Sequence, residues 1–130
     1  MPSVLPSLLL LWMQTSPAAL PHLKTCSDNL KLRDAAGAVK ACKTAVGLDP
    51  QSAAAHFLLG QAYLAMNSAS MVAEAKAEFQ QALDLDETIV WARFYLAKVY
   101  IDIGRPDKAK QELEQALQTR PGVAHFLSLL

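Results

Sequence analysis

An internal repeat with a period of 34 to 37 residues constrains the fold of this chain more than any other feature. The middle unit shows it best. His56-Phe57-Leu58-Leu59-Gly60-Gln61-Ala62-Tyr63 sets large, small and aromatic residues at helical spacing, and Ala75, Phe79 and Ala82 follow at intervals of four and three before Leu85-Asp86. The third unit repeats the scheme with Leu96-Ala97, Tyr100, Gly104, Ala109, Leu113, Ala116 and Pro121. A first unit carries Cys26, Ala38, Cys42, Ala45, Leu48, Asp49 and Pro50, with Thr25 and Asn29 where the second has Leu59 and Tyr63. Ala45, Ala82 and Ala116 are 37 and 34 residues apart, so the second unit carries three extra residues. Such units bury their apolar faces only by stacking on one another.

Local chemistry gives the elements. Gly60 and Ala97 are small enough for one helix to approach its partner, with Ala38, Ala75 and Ala109 expected opposite such positions. Tyr63, Phe79, Tyr100 and Leu113 fill the space above and below. Gly104 suits a left-handed helix stop, Pro106 a first helical turn, and Pro50 and Pro121 mark breaks between units. The pattern predicts helices near 20–31, 34–47, 52–67, 71–85, 88–103 and 106–119, with a seventh from about 122. The three extra residues are expected around Asn67-Ser68-Ala69-Ser70, between the helices of the second unit.

The order of a large residue, Leu-Gly, Tyr, Ala, Phe and Pro resembles the tetratricopeptide repeat, as found in bacterial repeat-containing proteins. The resemblance implies an all-α, right-handed solenoid of antiparallel helix pairs. Repeats fall near 19–52, 53–89 and 90–123, with the start of a fourth pair from 124, in a domain spanning 19–130. It also implies a protein-binding scaffold rather than an enzyme, whose ligand contacts come from the first helix of each pair. Carried onto this sequence, those places are Leu20, Leu23, Ser27 and Lys31, then Ala54, Phe57, Gln61 and Ala65, then Trp91, Phe94, Lys98 and Asp102. Trp91, Phe94 and Phe57 are the expected hot spots, because large aromatics bury much area at low entropy cost. For Phe57 packing against the next repeat is an equal alternative, and Lys98 and Asp102, four apart, could simply pair with each other. Chaperone-binding relatives grip a terminal carboxylate with Lys, Asn and Arg. Leu23, Ser27, Gln61, Trp91 and Tyr95 hold the corresponding places here. An amphipathic helix or an apolar peptide therefore suits the groove better. The alternative is an accessory recruitment domain or fragment of a larger enzyme or regulator.

Composition narrows the partner. The chain has 12 basic and 12 acidic residues, so it lacks the cationic excess that nucleic-acid binding needs. No phosphate loop, no Cys-x-x-Cys and no triad logic stands out, and no cofactor is expected. His22 and His56 lie 34 apart at equivalent places, which invites a metal site, but no carboxylate or thiol joins them at ligand spacing. Buried core histidine is the preferred reading. Cys26 and Cys42, the only cysteines, straddle the first hairpin symmetrically about Asp34, and Cys26 takes the close-approach place that Gly60 holds in the second unit. They form either a disulfide, favoured in an exported chain, or two buried thiols.

The two ends read differently from the repeats. Within residues 1–18, Val4, Leu5 and Leu8 to Met13 form an uncharged apolar run, too short to span a bilayer, followed by Ser16-Pro17-Ala18. This is either an export signal, placing the protein in the bacterial periplasm or outside the cell, or an apolar cap on the first repeat of a cytoplasmic protein. Met1-Pro2-Ser3 supplies no basic lead-in for the first reading. At the other end Val123, Phe126, Leu127, Leu129 and Leu130 are apolar. Either the chain continues, or this end associates with a second copy through Phe126, Leu127 and Leu130.

Overall fold

A computed structural model describes residues 12–121. Six helices follow in order: α1 (Leu20–Lys31), α2 (Ala35–Leu48), α3 (Ala53–Ala65), α4 (Ala69–Leu85), α5 (Val90–Asp102) and α6 (Pro106–Thr119). They pair as α1–α2, α3–α4 and α5–α6, and α3 and α5 also pack on the hairpins before them. The result is an all-α solenoid of three stacked hairpins. The expected seventh helix and the self-association residues Phe126, Leu127 and Leu130 lie outside the described residues.

The helix limits follow from caps and turns. Asp34 accepts a hydrogen bond from the Gly37 amide at the start of α2, and Ser52 accepts one from the Ala55 amide at the start of α3. Each hairpin turns over three residues, and the middle one is left-handed in every case: Arg33 (φ 62°), Asn67 (φ 53°) and Gly104 (φ 79°). At two of these turns the amide that follows reaches back five residues, Asp34 to the Asn29 carbonyl at 2.8 Å and Arg105 to the Tyr100 carbonyl at 2.7 Å. That bond occupies a carbonyl the helix end would otherwise leave unpaired.

The three turns being equal in length corrects one expectation. The extra residues of the second unit do not lengthen the loop at Asn67-Ser68. They add a turn to the start of α4, which has 17 residues where α2 and α6 have 14. Ala69 and Met71 favour helix, and an added helical turn satisfies its own backbone where a longer loop would not.

The core runs through all three hairpins. Phe79, Leu23, Ile89 and Leu96 are among its largest fully buried side chains. Gly60 is small for a definite reason: a Cβ there would stand 2.7 Å from the Phe79 ring. The nearest atoms to Gly60 thus belong to Phe79, rather than to Ala75 as the repeat pattern suggests. In the first hairpin the same two places hold Cys26 and Cys42. Their Cα atoms are 5.4 Å apart and their sulfurs 2.02 Å apart, at disulfide geometry.

Candidate functional site

The first helices α1, α3 and α5 present one side of the solenoid, and a cavity of about 230 Å³ opens there. Trp12, Ser27, Phe57, Leu58, Gln61, Trp91 and Tyr95 line it. Its floor is aromatic. The Phe79 and Tyr95 rings stack 5.3 Å apart, and Phe57 meets Tyr95 edge-on at 5.7 Å. Gln61 fixes the arrangement by donating from Nε2 to the Tyr95 hydroxyl at 2.8 Å, across the junction between the second and third units. Trp91, 39% exposed, stands over Phe94 with ring centres 5.2 Å apart. Among the described residues no charged side chain lines the cavity. The surface offers flat apolar rings with an amide, a phenol and a serine hydroxyl at intervals, which fits an uncharged apolar segment.

The structure gathers four of the sequence-selected residues, Ser27, Phe57, Gln61 and Trp91, around this cavity. Leu23 is fully buried in the core. Phe94 turns from the cavity into a cluster with Val90, Ala116, Leu113 and Leu117 against α6. Lys31, Lys98 and Asp102 are exposed outside the cavity, and no ion pair joins Lys98 to Asp102 among the described residues. Trp12, Leu58 and Tyr95 enter the lining without having been selected. Trp12 belongs to the segment before the repeats, so periodicity carries no information about it. Tyr95 already stood among the places that correspond to the carboxylate grip of relatives, and it lies four residues after Trp91 on the same helical face.

A second, larger cavity of about 620 Å³ lies beside the second helices, lined by Gln80, Leu83, Asp84, Glu87, Arg93, Leu96 and Glu112. Its carboxylates and the Arg93–Glu112 ion pair, 3.1 Å, make it a solvated cleft rather than an apolar docking surface. Size alone does not make it the better candidate.

The buried-core reading holds for His56 but not for His22, which is only half-buried on α1. His56 is buried, its Nε2 donating to the Pro50 carbonyl at 2.9 Å and its Nδ1 2.7 Å from Glu78 Oε1. Burial works against the imidazolium. The hydrogen bonds to Glu78 and to the Pro50 carbonyl outweigh it, with the charges of Glu78 and Asp49, and raise the His56 pKa above its ordinary 6.5. With both ring nitrogens engaged, His56 has no lone pair to offer a metal. Among the described residues no three His, Cys, Asp or Glu side chains come together as a metal site, and no helix is long and apolar enough to cross a membrane.

Comparisons with known proteins agree with this architecture. Two family profiles, both described as tetratricopeptide repeat, match residues 27–87 and 68–130. Among solved structures, MamA is 27% identical over 80% of this chain, with a TM-score of 0.74. This chain spans 59% of that MamA chain. The type III secretion translocator chaperone SycD of Yersinia enterocolitica is 17% identical, with 88% of this chain and 84% of that one aligned and a TM-score of 0.77. The second repeat domain of Spaghetti (RPAP3), bound to the HSP90 peptide SRMEEVD, is 20% identical over 82% of this chain and 96% of that one, with a TM-score of 0.74. No curated protein matches the sequence.

Proposed function

The chain belongs to the tetratricopeptide repeat family, and from that premise we propose that it binds an uncharged apolar peptide or the apolar face of a helix in the groove of α1, α3 and α5. The fold supports a protein-interaction scaffold. The observation that carries the finer reading is the aromatic cavity with Trp91 standing exposed at its rim. A partner side chain inserted between Trp91 and Tyr95 would be desolvated on several sides, the setting in which single aromatics dominate binding. The peptide held by RPAP3 ends in Glu-Glu-Val-Asp. Among the described residues no Lys or Arg lines the cavity, so an acidic terminus seated there finds no adjacent counter-charge and an apolar ligand is favoured.

The test is capture of partners from the native host by the unaltered chain and by Trp91→Glu. A partner held by the first and lost by the second supports the groove. A partner indifferent to Trp91→Glu but lost on charge reversal at Asp84 and Glu87 would move the interface to the opposite cleft.

We also propose that the chain is exported. Cys26 and Cys42 at disulfide geometry support this, because such bridges persist in oxidising compartments. Intact mass of protein from its host, alkylated without reduction, tests it. Two unalkylated cysteines are expected, and two alkylated ones would return the chain to the cytoplasm.

A further inference from the structure

The three helices that form the groove are not held equally. α3 buries ten of its residues and α5 seven, whereas α1 buries two, Leu23 and Cys26. Side chains also tie α3 and α5 to other helices: His56 to Glu78, Gln61 to Tyr95 and Arg93 to Glu112. Among the described residues no side-chain hydrogen bond or ion pair joins α1 to another helix, and the Lys24–Asp28 pair lies within α1 itself. The bridge from Cys26 to Cys42, in the middle of α2, is therefore the strongest attachment of α1 to the stack. It stands beside the groove. Ser27, the residue after Cys26, is the one that α1 contributes to the cavity.

From this placement we propose that the Cys26–Cys42 pair is a redox switch for the groove, whose apolar surface is complete only when the bridge is closed. The proposal rests on reading the groove as the binding surface. With the bridge open, Leu23 is the one large side chain that α1 keeps fully buried, since Leu20 and Leu30 are only partly covered. A helix of 12 residues is marginal in water without such anchorage. It then loosens from α2 and α3 and takes Ser27 with it. Phe57, Trp91 and Tyr95 stay in place on α3 and α5, but a ligand resting on them is open to water on the α1 side. Apparent affinity falls with the fraction of molecules that keep the wall in place, so α1 undocked in about nine chains of ten weakens binding about tenfold. Closing the bridge is a two-electron oxidation. The two thiols give up two electrons and two protons to a disulfide oxidant by thiol–disulfide exchange, and the oxidant leaves as a dithiol. Cys26 and Cys42 are fully buried, so an exchange partner reaches them only when the hairpin opens. The switch is therefore set as the chain matures in an oxidising compartment, and it holds afterwards. A copy kept reduced is folded in α3 to α6 and unable to grip its ligand.

The experiment uses the full chain in two forms, one with the bridge closed and one kept reduced by dithiothreitol from synthesis onward. The probe is an uncharged amphipathic peptide of leucine and serine carrying a fluorophore, read by anisotropy. The closed form should bind it at least tenfold more tightly than the reduced form, and Trp91→Glu should abolish that binding. The double substitution Cys26→Ala, Cys42→Ala should bind weakly whether or not dithiothreitol is present. A reduced or doubly substituted chain that binds as tightly as the closed form would overturn the switch and leave the groove reading intact. Binding that survives Trp91→Glu, or no binding by the closed form, would remove the groove reading and the switch with it. Hydrogen exchange separates a local switch from general unfolding. In the reduced form amide protection should fall in α1 and persist in α3 and α5. Loss in all three would make the bridge a staple for the whole stack and overturn the proposal.

Discussion

The first and second hairpins use the same positions and hold themselves together by different chemistry. Where the second packs Gly60 under Phe79, the first has Cys26 bonded to Cys42. Where the second buries His56 against Glu78, the first has His22 and Ala41, with no ion pair between those places. The third hairpin follows the second, with Arg93 and Glu112 in the places of His56 and Glu78. A hairpin that fills its interface with a ring and an ion pair needs no cross-link. One that lacks both gains its stability by restricting the unfolded chain instead. The stack thus has two interlocked hairpins and one that is stapled.

Removing Phe79 should have the largest effect. It is fully buried, faces Gly60 and stacks on Tyr95, so Phe79→Ala should lose about 3–5 kcal/mol in urea unfolding. The loss should extend to the third hairpin, because Tyr95 loses its support. Hydrogen exchange confined to α3 and α4 would show the units to be more independent than these contacts imply.

Reducing the Cys26–Cys42 bridge should come next. The cysteines are 16 residues apart, and closing a loop of that size restricts the unfolded chain by about 3 kcal/mol. Urea unfolding with and without reductant reads the difference. Amide protection should fall in α1 and α2 and persist in α5 and α6. Uniform loss would mean the first hairpin is not a separable unit.

The ion pairs sharpen the comparison through pH. The pKa of His56 is raised in the folded chain. Its contribution is therefore fully present below its unfolded value near 6.5 and fades as pH rises through the higher folded value. His56→Gln should cost about 2 kcal/mol at pH 6, and the cost should shrink by pH 8. An arginine side chain does not titrate in this interval in any surroundings, so Arg93→Gln should show no such change. A His56→Gln cost that is flat with pH would mean the imidazole is neutral when folded.

Much of this organisation was legible in the sequence. Helices alternate with turns on a fixed period, so the limits of α1 and α6 fell where the pattern set them. Even α1, with Thr25 and Asn29 in place of Leu and Tyr, forms a full helix, because Leu23 and Cys26 still bury one stripe. The groove was harder. Periodicity gives the face a residue occupies but not its depth. Leu23 and Phe94 share a face with Ser27 and Trp91, yet both are drawn into the core. Periodicity singles out neither Glu78 nor Glu112. Only the paired cations, one turn of the repeat away, show why they are half-buried.

The smallest expected effect concerns the turns, where the first and third hairpins differ at one residue. Arg33 and Gly104 occupy the same left-handed place, with φ of 62° and 79°. A side chain there costs about 1–2 kcal/mol from the clash of Cβ with the carbonyl. Glycine removes that cost but returns about 0.4–1 kcal/mol through greater freedom in the unfolded chain. Arg33→Gly should therefore stabilise by about 0.5–1 kcal/mol, the difference between those two terms. Asn67→Gly should gain less, since asparagine tolerates this region. The gain should appear with the disulfide reduced as well as oxidised, because the turn precedes α2 while the bridge joins its middle. If Arg33→Gly destabilises, the Arg33 side chain holds a contact that outweighs its strain. The weakness of the first hairpin would then lie in its helix interface alone.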